Sequence, residues 1–143
     1  MSDDSATRAP RPIKVLVVDD DPDFVEQHLL MLTAQGFEVA TASTTEEALE
    51  VAAREMPDAF VLDLIMEHTD SGARLSRALR RDPRFAQAPI ILLTSVGQEL
   101  GFEFERNPEE VLAWMKADAW FDKPAPMEEL GAALRRLLEE RSA

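Results

Sequence analysis

At 143 residues the chain has the size of one ordinary domain, and its 45% apolar content is enough to bury a single core without staples. Twenty-eight acidic residues against 15 basic ones give a net charge of −13, a surface that repels nucleic acid phosphates and anionic membranes. The lack of cysteine excludes a disulfide framework and a thiolate metal site, and two histidines, His28 and His68, are too few for a histidine-rich metal cage.

No apolar stretch approaches the roughly eighteen residues of a membrane span, and the acidic start Met1-Ser2-Asp3-Asp4-Ser5 has no apolar segment behind it. A cytoplasmic protein with no membrane partner is expected. The arginine-rich stretches, Arg74-Arg77-Arg80-Arg81 and Arg135-Arg136, fall in helical patterns where arginine coats the solvated face, so no nucleic acid partner is expected either.

Residues 1–11 are polar and read as a flexible N-terminal arm, leaving residues 12–143 as a single domain with no output domain behind it. Ile13 to Val18 is a nearly continuous apolar run, as a strand covered on both faces should be, and it stops at Asp19-Asp20-Asp21. Pro22 fits the first turn of a helix capped by Asp21, with Val25, Leu29 and Leu32 as its buried stripe and Gly36 beyond its end. A weaker strand follows around Val39. Ser43 or Thr44 then caps a second helix, with Glu46 or Glu47 three residues on and Ala48, Leu49 and Ala52 as its inner face. Ala59-Phe60-Val61-Leu62 is a third strand that delivers Asp63 to its end.

Leu75, Ala78 and Leu79 mark a third helix, terminated by Asp82-Pro83. Ile90-Ile91-Leu92-Leu93 is a fourth strand ending on Thr94-Ser95. The stretch from Val96 to Asn107, with Phe102 and Phe104, reads as a long loop, after which Asn107 or Pro108 opens a short helix through Met115. Ala119-Trp120-Phe121 is a fifth strand ending in Asp122-Lys123-Pro124, and Met127, Leu130, Leu134 and Leu137 share one face of a last helix. Five strand and helix alternations with short connections force parallel strands and right-handed crossovers, a doubly wound α/β sandwich.

Parallel strands bring their final residues to one edge, so Asp19, Asp20, Asp63, Thr94 and Lys123 are expected together, at the switch point where such sheets bind ligands. Crowded carboxylates repel one another and call for a cation. An all-oxygen donor set favours Mg²⁺. Lys123 and Thr94 suit an anion instead, and the combination is suited to placing a phosphoryl group on an acid.

These segments resemble the receiver domains of two-component response regulators, of which the chemotaxis response regulator is the simplest member. The similarity rests on Val15 to Pro22, Phe60 to Leu64, Ile91 to Ser95 and Phe121 to Pro124, in order and at compatible spacing over about residues 13–140. It implies a flavodoxin-like sheet of order 2-1-3-4-5, with Asp63 as phosphoacceptor, Asp19 and Asp20 as metal-holding pair, and the backbone carbonyl of Ile65 completing the protein ligands. By the same resemblance Lys123 pairs with phosphoryl oxygens, Thr94 hydrogen-bonds one of them, and Trp120 occupies the switch position. The implied partners are a sensor histidine kinase or histidine phosphotransfer protein and a downstream protein of unknown identity, with a homodimer also allowed. The chain would be no enzyme beyond catalysing its own phosphorylation and dephosphorylation.

The sequence departs from the family's pattern in places. Glu67 stands where proline is common, His68 lies in the same loop as an ordinary surface residue, and the usual Asp-Gly is stretched to Asp70-Ser71-Gly72. The segment between Thr94 and Lys123 is several residues long for the family, so the fourth helix is expected to be modified or displaced towards 108–116. Apolar Ile65 and Val96, two residues beyond Asp63 and Thr94, suggest a slow loss of phosphoryl. Two other readings are a phosphorylation-independent pseudo-receiver and a haloacid-dehalogenase-type phosphatase. The phosphatase would carry a second aspartate where Ile65 stands.

Overall fold

The computed structural model of the chain describes residues 12–63, 71–95, 108–123 and 126–142. Its strands are β1 (Lys14–Val18), β2 (Glu38–Ala42), β3 (Ala59–Asp63), β4 (Ile90–Ser95) and β5 (Ala119–Lys123). The helices are α1 (Pro22–Ala34), α2 (Thr45–Glu55), α3 (Ser71–Arg81), α4 (Pro108–Met115) and α5 (Met127–Ser142). The strands form one parallel sheet in the order β2-β1-β3-β4-β5, as expected.

Strand alternation divides the core into two layers. Leu16, Val18, Phe60, Leu62, Ile90 and Leu92 point to one face, where Ala48 and Val51 of α2, Leu75 and Leu79 of α3 and Met115 of α4 cover them. Val15, Val17, Val61, Ile91 and Leu93 point to the other, against Leu32 of α1 and Leu130, Leu134 and Leu137 of α5. Every central strand is buried on both sides, which is why those segments read as continuous apolar runs.

The caps form as the sequence suggests. Asp21 accepts a hydrogen bond from the Asp23 amide at 3.0 Å ahead of Pro22, and Gly36 takes φ +96° just beyond α1. Thr44 caps α2 by accepting from the Glu47 amide at 3.0 Å. The Glu47 carboxylate reaches back to the Ser43 amide at 2.6 Å, one residue earlier than in the usual capping box.

Three side chains lie elsewhere than periodicity places them. The inner stripe of α1 runs through His28 and Leu32, because its inward position falls one residue before Leu29, and Leu29, Leu30 and Met31 are exposed. On α2, Val51 completes the inner face and Leu49 is exposed. Arg80 does not coat the solvated face. It turns inward from the end of α3, donating to Asp118 at 2.7 Å and to the carbonyls of Ala88 at 2.5 Å and Lys116 at 2.9 Å.

Helix α4 spans Pro108–Met115, and the expectation of a modified or displaced fourth helix turns on residues 96–107 and falls outside the described residues. The expectations for the arm at 1–11, for Ile65, Glu67, His68 and Asp70, and for the loop carrying Val96, Phe102 and Phe104 fall outside the described residues.

Candidate functional site

The strand register sets the site. Val18 pairs with Leu62, so the next residues, Asp19 and Asp63, leave adjacent parallel strands side by side, at the roughly 4.8 Å spacing of a sheet. Asp63 itself pairs with Leu93, which puts Thr94 one residue further along β4. Thr94 in turn pairs with Asp122, and Ser95 with Lys123. The backbone therefore brings Asp19, Asp63, Thr94 and Lys123 to the same carboxyl edge. Since α1 and α3 follow β1 and β3 onto opposite faces, the edge between those two strands is the switch point of the sheet.

Asp19, Asp20 and Asp63 each offer a carboxylate oxygen, and these oxygens all lie within 4.8 Å of one another. Asp19 and Asp63 are buried, at 1% and 4% exposure, while Asp20 is open to solvent. The Asp21 amide donates to Asp19 Oδ1 at 2.9 Å, and the Asp19 amide donates to the Ala42 carbonyl at 3.1 Å, so the turn after β1 is held from both sides. Asp21 is committed to capping α1 and stays out of the cluster. Trp120, paired with Leu92 on β5, is half-buried and packs against the layer that contains Leu62 and Leu92.

The donor set fits a hard divalent cation: three carboxylates, two of them buried, with no imidazole or thiolate among the described residues of the cluster. Asp19, Asp20 and Asp63 are the residues that would hold it. Burying two like charges side by side is costly unless a positive charge compensates, and that need agrees with the donor chemistry.

The model of the response regulator receiver domain family matches residues 15–135. The chain belongs to this family. The receiver domain is 34% identical over 124 residues to the phosphate regulon transcriptional regulatory protein PhoB of Pseudomonas aeruginosa, covering 87% of this chain and 51% of that protein. It is 35% identical over 133 residues to the response regulator MprA of a Mycobacterium species, covering 92% and 53%. Among solved structures, the chemotaxis response regulator CheY4 of Vibrio cholerae superposes with a TM-score of 0.74 at 27% identity, over 89% of this chain and 99% of that one. The receiver domain spans about half the length of the curated relatives it matches. No described helix is long and apolar enough to cross a membrane.

Proposed function

We propose that this receiver domain takes a phosphoryl group onto Asp63 in a magnesium-dependent reaction, and that the resulting acyl phosphate changes its affinity for a downstream protein. The observation that carries the proposal is the meeting of Asp19, Asp20 and Asp63 within 4.8 Å at the switch point of the sheet. Asp63 is the central member by topology, since its strand lies between β1 and β4.

In the reaction, a carboxylate oxygen of Asp63 attacks the phosphorus of a phosphohistidine on a sensor kinase or phosphotransfer protein. The new P–O bond forms as the P–N bond breaks, and the imidazole leaves with the electron pair and takes up a proton from water. Magnesium, when bound, would neutralise charge on the phosphoryl oxygens. Asp19 and Asp20 would hold the cation, with Asp20 on the open side from which a donor arrives, and the Ile65 carbonyl would be the further ligand. Lys123 pairs with one phosphoryl oxygen and Thr94 donates to another. The Thr94 contact and the half-buried Trp120 are the proposed route by which the new charge alters the surface. The exposed Leu29, Leu30 and Met31 on α1 offer an apolar surface for the donor protein. The domain turns over no separate substrate, and with its net charge of −13 it binds no nucleic acid itself.

The test is incubation with acetyl phosphate and Mg²⁺ followed by intact mass measurement. One phosphoryl adduct is expected, absent with a chelator and absent in Asp63→Asn. No adduct in the unaltered chain would replace this reading with a phosphorylation-independent interaction module. Continuous phosphate release from varied phosphomonoesters would indicate a phosphatase.

A further inference from the structure

A cleft of about 700 Å³, whose lining includes none of the three clustered aspartates, runs between the start of α2 and the length of α3. Its α3 wall presents Arg74, Arg77 and Arg81 at i, i+3 and i+7, a single stripe roughly 10 Å long at the rise of an α-helix. Across the cleft stands Leu49, 45% exposed, with Glu46 contributing a carboxylate to that wall. On the far side of α3 lies Trp114 of α4, 56% exposed, with the Arg77 guanidinium 5.4 Å from its ring centre. A basic stripe is thus flanked on both sides by exposed apolar side chains.

The charge pattern is out of keeping with the rest of the molecule. The whole chain carries −13, yet α3 holds four arginines and no carboxylate. Of the four, Arg80 is used internally by Asp118. Among the described residues no ion pair joins Arg77 or Arg81 to a carboxylate. An acidic chain can neutralise exposed arginines cheaply with carboxylates four residues away along the helix, yet the positions four before and after Arg77 and Arg81 hold Ala73, Arg81, Arg77 and Phe85. Arginine and tryptophan beside apolar side chains are also the residue types that dominate binding at protein interfaces.

We propose that this cleft is a docking site for an acidic amphipathic helix of a partner protein. The partner's carboxylates, at matching i and i+4 positions, lie on Arg77 and Arg81, and its apolar side chains cover Leu49 and Trp114. A nucleic acid would meet the repulsion of the whole chain, and a small anion would leave both apolar flanks open.

The experiment titrates the full chain with a short synthetic helix carrying glutamates at i and i+4 with leucines beside them, alongside a scrambled peptide of the same composition. The indole resonances of Trp114 and Trp120 are followed by NMR, assigned with Trp114→Phe. Expected is saturable binding of the helix in preference to the scrambled peptide, with the Trp114 resonance moving and the Trp120 resonance still. Arg77→Glu with Arg81→Glu should weaken binding by about tenfold or more, the size of one to two lost charge-assisted hydrogen bonds. The charge-matched control Arg54→Glu with Arg136→Glu should leave it unchanged. Urea midpoints near that of the unaltered chain establish that both double variants fold. Absence of saturable binding, equal binding of the scrambled peptide, or equal loss in the control would overturn the proposal. Displacement of the helix by duplex DNA or anionic vesicles at the same charge concentration would also overturn it, in favour of a generic basic patch.

Discussion

Replacement of Asp118 by alanine tests how the edge of the sheet opposite the site is held. Asp118 Oδ2 accepts from Arg80 at 2.7 Å and from the Ile90 amide at 2.8 Å, and Oδ1 accepts from Arg141. Arg80 also binds the carbonyls of Lys116, Phe85 and Ala88, so one ion pair gathers the end of α3, the start of β4, the turn before β5 and the end of α5. The pair is well covered, with side-chain exposures of 16% for Arg80 and 18% for Asp118. Burial pushes the Arg80 guanidinium below its ordinary value, the Asp118 charge opposes this, and neighbouring Arg141 adds to it. Removing Asp118 leaves two guanidiniums facing each other and an Ile90 amide without its acceptor. Breaking a fully buried pair from one side costs about 3–5 kcal/mol, and the remaining exposure here brings the expectation to about 3 kcal/mol. For a domain of this size that is a fall in melting temperature of roughly 10 °C, or about 1.5 M in urea midpoint. The Arg80→Ala, Asp118→Ala double variant should recover part of the loss, since the more buried guanidinium is gone and only the more exposed Arg141 is left without Asp118. Urea unfolding followed by circular dichroism measures all three proteins. A cost below about 1 kcal/mol for Asp118→Ala, the level of an exposed pair, would refute the account of this clasp.

Further outcomes follow from the same structure. Met56 closes α2 with φ 51° and is 46% exposed, so Met56→Gly should raise stability by about 0.5–1 kcal/mol through relief of the left-handed backbone, read from the urea midpoint. The Lys14 ammonium, 3.1 Å away, and then Arg54 hold the Glu55 carboxylate below its ordinary 4.5. A lowered folded-state value means stability present above the ordinary value and lost as pH falls through the folded one. Acid unfolding should therefore begin below about pH 5 and have a shallower onset in Glu55→Gln. Arg84 lowers Asp82 in the same way, and Asp82→Asn should flatten the same acid limb.

The strands were legible because a two-sided parallel sheet writes each as an apolar run, and their ends were legible because Asp19, Asp63 and Lys123 interrupt those runs abruptly. The convergence of Asp19 and Asp63 followed from topology alone, since adjacent parallel strands in register must deliver their last residues together. Helix faces were harder to read. In α1 a histidine holds the inward position, its Nδ1 lying 2.6 Å from the Phe24 carbonyl, so counting leucines selected Leu29 in place of His28. In α2 the inner face is built from Ala48, Val51 and Ala52, and the larger Leu49 draws attention to the wrong side. Arg80 was illegible for another reason: its partner Asp118 lies 38 residues away, and nothing local distinguishes it from Arg77 or Arg81. Pairings of that kind are set by tertiary approach, which periodicity does not encode.

The central claim is that Asp63 receives the phosphoryl group in a site completed by Asp19 and Asp20. The most direct measurement is reduction of the acetyl phosphate-treated protein with labelled borohydride, which converts an acyl-phosphate aspartate to homoserine, followed by peptide mapping. The account predicts label at position 63 alone, formed only when Mg²⁺ is present and strongly reduced in Asp20→Asn. Label at Asp19, Asp20 or any other carboxylate, or label at position 63 that forms equally well without a divalent ion, would contradict it.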